Sequence, residues 1–215
     1  MEIELIREET TFDPALNLER DACYWRETGG NRARVWRNES CVVLGRFLKP
    51  EVEVNLGKAG ELGIPVLKRA SGGGAVYHDL GNLNYSLYLD LEGLRLQEIS
   101  ESLRALSYPV TSLLDSLGVP WRWVPPNNIY VEGRKISGSA QARRRGRLLH
   151  HGTLLVSCDL EMMRRLLKPG GRSTTAPVIN LSEVVSGIEV EDVARLLAQA
   201  ASRGSGTRHD PINLV

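Results

Sequence analysis

Two short turns constrain this chain more than any other feature. In "NIYVEGRKISGSA" the dipeptide Glu132-Gly133 separates two strand-like runs, and "RRRG" ends at Gly146 just before the apolar "RLLHHGTLLVS". Connections this short join antiparallel neighbours, because parallel strands need a crossover of a dozen or more residues. Upstream, "NLNYSLYLDL" (82 to 91) alternates polar and apolar side chains and reads as another strand. "SCVVLGR" (40 to 46) reads as a short buried strand closed by Gly45. Helical spacing follows Asp13-Pro14 in "ALNLERDACYWRE" and recurs over residues 96 to 117, which Pro109 divides. "LGKAGELGIPVLKRA" reads as a short helix stopped near Gly63 and then a strand, and "DLEMMRRLLK" and "VEDVARLLAQAA" as late amphipathic helices. Strand clusters interleaved with helices predict an α/β (α+β) architecture on a mainly antiparallel, mixed sheet flanked by helices.

At 215 residues, with 42% apolar and 25% charged, the chain is long enough to bury one sizeable core. We expect a single domain over residues 1–200 and, in the Gly- and Ser-rich end, a C-terminal tail over 201–215. The formal net charge of +1 supplies no long-range field toward nucleic acid or an anionic membrane, so neither is expected as a partner. No run approaches the ~18 apolar residues of a membrane span. "MEIELIREET" lacks the apolar core of a signal peptide. Cys23, Cys41 and Cys158 are widely spaced and show no metal-site pattern. A reducing, cytoplasmic location is the expectation.

"KRASGGGAVYHDLGNLNYS" (68 to 86) places three glycines between Ser71 and a short apolar pair, with Arg69 before them and His78-Asp79 after. Glycine reaches positive φ freely and lets a ligand approach the backbone. A loop of exposed N–H groups suits phosphate or carboxylate oxygens, and Arg69 adds a charge-assisted donor. The same glycines also suit a plain bulge between strands, and no Gly-Lys-Ser/Thr of a P-loop follows them. In "VEGRKISGSAQ" (131 to 141) simple alternation puts Lys135 and Ser137 on one face and Ile136 on the other. A lysine among small residues has room to meet a ligand, although a surface lysine reads the same way. "LLHHGTLLV" puts His150 and His151 on opposite faces of one strand.

These three segments, in this order and separation, resemble the lipoate–protein ligase family, within the wider group of biotin and lipoate ligases and octanoyltransferases. The resemblance runs from about residue 15 to about residue 185, ending at "VINLSEV". It implies activation of lipoate with ATP and Mg²⁺ to lipoyl-AMP, then transfer to a lysine of a lipoyl domain. The implied acceptors are the acyltransferase subunit of 2-oxoacid dehydrogenases and the glycine cleavage H protein. Residue by residue, it makes Lys135 the lysine that contacts the reacting carboxylate and α-phosphate. It places Gly72, Gly73, Gly74, Ala75, Val76 and Tyr77 along the acyl and nucleotide pocket. Arg69 and Ser71 would hold anionic oxygens, while His78 and Asn82 would brace the loop. Ser137, Gly138 and His151 would stand at the same pocket. Leu44, Val76 and Tyr85 are candidates for the acyl-chain wall, and equally for plain core.

The chain departs from the family at "PNNIYV", where Asn128 takes the place of an Asp. That leaves metal handling open, with Asn128 the one candidate ligand. Larger members also carry a C-terminal accessory domain, for which this sequence has no room. The resemblance therefore implies a separately encoded accessory subunit needed for activation. The rival readings are an octanoyltransferase using octanoyl-acyl carrier protein without ATP, and a lipoyl-adenylate binding protein without turnover. The transferase needs a cysteine nucleophile. Cys158, in a turn after the "HHGTLLV" strand, reads as structural, and Cys23 and Cys41 as small core residues. "ARRRGR" (142 to 147) reads as a solvated hairpin tip, or else as a contact for an acidic lipoyl domain or for the partner subunit.

Overall fold

A computed structural model of the chain describes residues 2–27, 29–92, 96, 98–169 and 176–203. Ten strands and seven helices alternate within those residues. In chain order they are β1 (Glu4–Leu5), α1 (Pro14–Arg26), β2 (Arg32–Trp36), β3 (Cys41–Leu44), α2 (Pro50–Glu53), α3 (Leu56–Glu61), β4 (Val66–Lys68) and β5 (Val76–His78). Then follow β6 (Asn82–Asp90), α4 (Ile99–Ala105), α5 (Tyr108–Ser116), β7 (Arg122–Val124), β8 (Asn128–Val131), β9 (Arg134–Arg144), β10 (Arg147–Leu155), α6 (Leu160–Leu166) and α7 (Val190–Ser202).

The strands form a seven-stranded sheet ordered β1-β2-β6-β10-β9-β8-β7 and a three-stranded sheet ordered β4-β3-β5. Only β1 with β2 and β3 with β4 run parallel, so the α/β, mainly antiparallel expectation holds. Local chemistry explains the boundaries. Glu132 and Gly133 have φ of 50° and 74°, and Arg145 and Gly146 48° and 75°. Positive φ at both central positions gives the tight turn whose twist matches flanking antiparallel strands. Asp13 caps α1 by accepting from the Leu16 N–H at 2.7 Å, with Pro14 at the first helical position. Pro109 sits in the first turn of α5, where its missing N–H costs nothing, so it divides the helical stretch rather than kinking it. Helix α7 continues through Ser202, so the regular structure runs two residues into the stretch expected as tail; 204–215 lie outside the described residues.

One face of the large sheet carries Leu83, Tyr85, Leu87 and Leu89 of β6 and Leu148 of β10 into the main core, beneath α5 and α7. Helix α1 crosses the opposite face over β6 and β10. The small sheet builds a second core around Val42, Leu44, Tyr77 and Leu166 of α6. The site lies where the small sheet meets the open face of the large one.

Candidate active site

Helix α1 turns an unusual stripe inward: Pro14, Asn17, Asp21 and Trp25 are buried, while Leu16 and Cys23 are exposed. Apolar spacing had suggested the reverse for Cys23, which is no core residue. It stands two positions from Asp21, about 200° around the helix. The polar stripe meets the polar face of β6 and β10. The Asp21 carboxylate accepts from Ser86 Oγ at 2.5 Å, Tyr88 Oη at 2.8 Å and His151 Nδ1 at 2.8 Å. Burial by itself would raise this carboxyl, but the His151 charge and these hydrogen bonds outweigh it and hold Asp21 below its ordinary range. The far ring nitrogen, His151 Nε2, lies 2.5 Å from Ser71 Oγ, which in turn accepts from Arg69 Nε at 3.0 Å. A buried polar chain thus runs Asp21, His151, Ser71, Arg69 from α1 to the glycine loop. Asp21 escaped the motif reading; the polar i, i+4 spacing of Asn17, Asp21 and Trp25 was its one signal.

The glycine loop is wrapped around Arg69. Its guanidinium donates to the carbonyls of Gly72 at 2.6 Å, Gly74 at 2.8 Å and Val43 at 3.3 Å. Burial lowers Arg69 to about 10, partly countered by the Asp21 charge. The residue expected to grip an external anion spends most of its donors holding the loop. Gly73 has φ of +90°, and a Cβ there would stand 2.8 Å from Arg69 Nη2. A Cβ on Gly45 would lie 2.1 Å from the Gly73 carbonyl oxygen, so the loop seats against bare backbone.

A cleft of about 1010 Å³ opens between this loop and β9. Of the sequence-nominated residues it is lined by Arg69, Gly73, Gly74, Ala75, Val76, Tyr77, His78, Asn82, Asn128, Lys135, Ser137, Gly138 and His151. Ser71 and Gly72 stand behind it, Ser71 being 1% exposed. Leu44 and Tyr85 do not line it. Leu44 packs in the small-sheet core, and Tyr85 points to the opposite face, bonding His150 Nε2 at 3.1 Å. His150 and His151 do face opposite ways. Simple alternation fails at Lys135: the register shifts between Ile129 and Tyr130, leaving Ile136 opposite no residue of β8. The bulge sends Ile136 into the core and lays the Lys135 ammonium over Gly138, where a Cβ would meet Lys135 Cε and Nζ at 2.9 Å. Ser137, 2% exposed, is not its neighbour on an open face.

Among the described residues no carboxylate lines the cleft, whereas Arg69, Arg134, Lys135, Arg164 and Lys168 do. Burial, and then the Arg69 charge, lower Lys135 to about 8. Its ammonium is protonated at neutral pH and lacks a carboxylate partner among the described residues. The site therefore complements an anion. Along another wall three buried atoms have no hydrogen-bond partner among the described residues: His78 Nε2, Asn82 Oδ1 and Asn84 Nδ2. Asn38 Nδ2 faces His78 Nδ1 at 3.1 Å, which leaves His78 Nε2 as a buried donor. Trp36 completes this wall, and sequence reasoning had passed over both Trp36 and Asn84. A divalent cation finds no carboxylate ligand here; Asn128 Oδ1, 3.4 Å from the same point above Gly138, is a neutral oxygen beside a cation. Among the described residues no His, Cys, Asp and Glu group forms a metal cluster. No cysteine lines the cleft: Cys41 and Cys158 are buried and free, and burial pushes the Cys41 thiol up to about 12 and raises Cys158 further. No described helix is long and apolar enough to cross a membrane.

This geometry recurs in known proteins. Residues 13–202 match the lipoyl protein ligase A/B catalytic domain. A bipartite lipoate protein ligase from Thermoplasma acidophilum, studied with its E2 lipoyl domain, is 30% identical at a TM-score of 0.82, over 94% of this chain and 83% of that one. A lipoate-protein ligase A bound with ATP is also 30% identical, at a TM-score of 0.83, over 94% of this chain and 85% of the other. The biotin protein ligase of Aquifex aeolicus, 14% identical at a TM-score of 0.52 over 94% of this chain and 68% of that one, shares the fold alone. With the family matched over nearly its whole length and the fold shared throughout, the chain belongs to the lipoyl protein ligase A/B catalytic-domain family and is a lipoate–protein ligase.

Proposed function

We propose that residues 1–200 form a catalytic domain that joins lipoate to ATP as lipoyl-AMP and then passes the lipoyl group to a lipoyl-domain lysine. The observation that carries this reading is the ammonium of Lys135 above Gly138, in a cleft lined by cations and no carboxylate among the described residues. Adenylation brings a carboxylate against the α-phosphate. The carboxylate oxygen attacks phosphorus, the bond to the β-phosphate oxygen breaks, and pyrophosphate leaves. Lys135 offsets the repulsion between the two anions and the charge that develops between them, an effect on the order of 2.7–4 kcal/mol for one preorganised donor. The N–H groups of the Gly73–Gly74 segment, held by Arg69, face the same anion. The donor and acceptor pattern of His78, Asn82 and Asn84 beside Trp36 suits the edge and face of a purine ribonucleotide. In the second step the acceptor lysine, as free amine, attacks the acyl carbonyl. An amide C–N bond forms, the acyl C–O bond to AMP breaks, and the amine proton passes to solvent.

Magnesium bound to the triphosphate would enter with the nucleotide, since among the described residues the cleft holds no carboxylate to retain it. The likeness to a bipartite system supports a separate accessory subunit for the activation step. The acceptors in this reading are the 2-oxoacid dehydrogenase acyltransferase subunit and the glycine cleavage H protein, encountered in the cytoplasm. An octanoyltransferase mechanism would require a cleft thiol, and Cys158 is buried away from the cleft. Intact-mass analysis of a purified lipoyl domain tests the proposal. Transfer from pre-formed lipoyl-AMP, and from lipoate with MgATP only when the accessory subunit is added, is expected. Transfer from octanoyl-acyl carrier protein alone, without ATP, would overturn it.

A further inference from the structure

A second concavity, about 490 Å³, lies on the other side of the glycine loop from the cleft. Four cations from four separate elements meet there: Arg26 in the last turn of α1, Arg46 after β3, Lys68 at the end of β4 and Arg144 at the end of β9. All four are exposed, and among the described residues none has a carboxylate partner. Elsewhere Arg20, Arg32, Arg34, Arg37, Arg134, Arg147 and Arg195 each face a carboxylate within 4 Å. Glu19 is the one acidic side chain among the described lining residues. On a chain whose formal net charge is only +1, four exposed cations against one carboxylate make this groove locally positive. Leu18 and Arg69 line both concavities, so the groove runs into the cleft over Leu18. Phe47, 78% exposed with the Arg46 guanidinium 5.6 Å from its ring centroid, stands next to Arg46.

The "ARRRGR" segment takes its meaning from this surface. Arg147 is buried against Asp90 at 3.1 Å and the Gly30 carbonyl at 3.0 Å, and Arg143 donates to Ser102 Oγ at 2.7 Å. Those two are structural, so the segment is not simply a solvated tip. Arg144 alone of the run lines the groove.

We propose that this groove docks the acyl acceptor, a protein that presents an acidic surface beside the lysine it delivers over Leu18 into the cleft. The inference rests on the acyl-transfer reading above. Unpaired like charges on one surface repel each other, and a complementary acidic partner relieves that repulsion while steering encounter. Exposed Phe47 supplies an aromatic anchor of the kind enriched at interface centres.

The test is Arg46→Glu/Lys68→Glu in the full chain, whose altered side chains touch neither the cleft nor the core. Binding of a lipoyl domain whose acceptor lysine is changed to Arg is measured by fluorescence anisotropy, which reads docking without turnover. The variant is expected to bind at least tenfold more weakly, and the wild-type affinity to fall as salt rises from 50 to 300 mM. Transfer from pre-formed lipoyl-AMP to hydroxylamine, which needs no docking, is expected to stay within twofold. Equal binding by variant and wild type overturns the proposal. So does loss of DNA binding with lipoyl-domain binding retained, which would assign the groove to a nucleic-acid backbone. If docking is weakened as expected but wild-type protein transfers no acyl group to any amine, the docking surface stands and the acyl-transfer reading falls.

Discussion

Lys135 holds its charge in a place that resists it. Burial and the neighbouring Arg69 lower it to about 8, yet at neutral pH it remains an ammonium without a carboxylate partner among the described residues. Such a group favours any anion that enters beside it, and an arriving anion raises its pKa again. The adenylation kcat/KM, which reports the free enzyme, is expected to fall as pH rises through about 8, while kcat falls at higher pH. Lys135→Ala is expected to lose about 10²–10³ in rate, the scale for one preorganised donor, with the melting temperature kept or raised because a buried unpaired cation is gone. Gly138→Ala is expected to lower the same rate with little change in melting temperature, since its Cβ would displace Lys135 Nζ from 2.9 Å. Pyrophosphate exchange and thermal unfolding measured together check this; a rate loss that tracks lost stability would remove Lys135 from the chemistry.

At the scale of elements, α1 and β10 set the glycine loop. The loop keeps its shape through Arg69, Arg69 is oriented through Ser71, and Ser71 through His151 and Asp21. Replacing Asp21 with Asn removes the charge opposite His151 and leaves one amide N–H facing hydroxyl donors. A loss of about 1–3 kcal/mol in urea unfolding is expected, the cost of an unsatisfied buried polar group. The Gly72 to Gly74 amides should also exchange with solvent faster than in the wild type, whereas unchanged exchange would show that α1 does not hold the loop. Strands β3, β4, β6, β8, β9 and β10, the two tight turns and the longer helices were legible in the sequence, because turn dipeptides, caps and period-two alternation act within a few residues; the short strands β1, β2, β5 and β7 and the single turn α2 carried no such signal. Two features of the site were not legible either. The buried face of α1 was misread because Asn17 and Asp21 look like surface residues until β6 and β10 supply their partners. The bulge at Lys135 and Ile136 was invisible because it is defined by pairing with β8.

For the molecule as a whole, folding buries ionisable groups on both faces of the large sheet, His151 with Asp21 on one and His150 with Tyr85 on the other. His78 and His150 are each lowered to about 3, first by burial and then by nearby positive charge. Between about pH 3 and 6.5 the unfolded chain binds protons at both sites and the folded chain does not, so stability falls on acidification through that window. Asp21, held below its ordinary range, adds its own loss only at lower pH. Urea unfolding between pH 6 and 4 is expected to show a slope approaching about 2.7 kcal/mol per pH unit, two protons at about 1.36 each. A slope below that of one proton would mean that at least one of these histidines is protonated in the fold.

Short-range chemistry was enough to reveal the antiparallel hairpins, the helix starts at Asp13 and Asp159, and the three segments that mark the family. Each depends on dihedral preferences and hydrogen bonds between near neighbours. Which side chains share a cleft depended on contacts between residues far apart in the chain. Asp21 meets His151, Gly45 meets Gly73, and four cations from four elements meet in one groove. Burial, pKa and electrostatic field belong to those meetings, because they are sums over whatever the fold brings near.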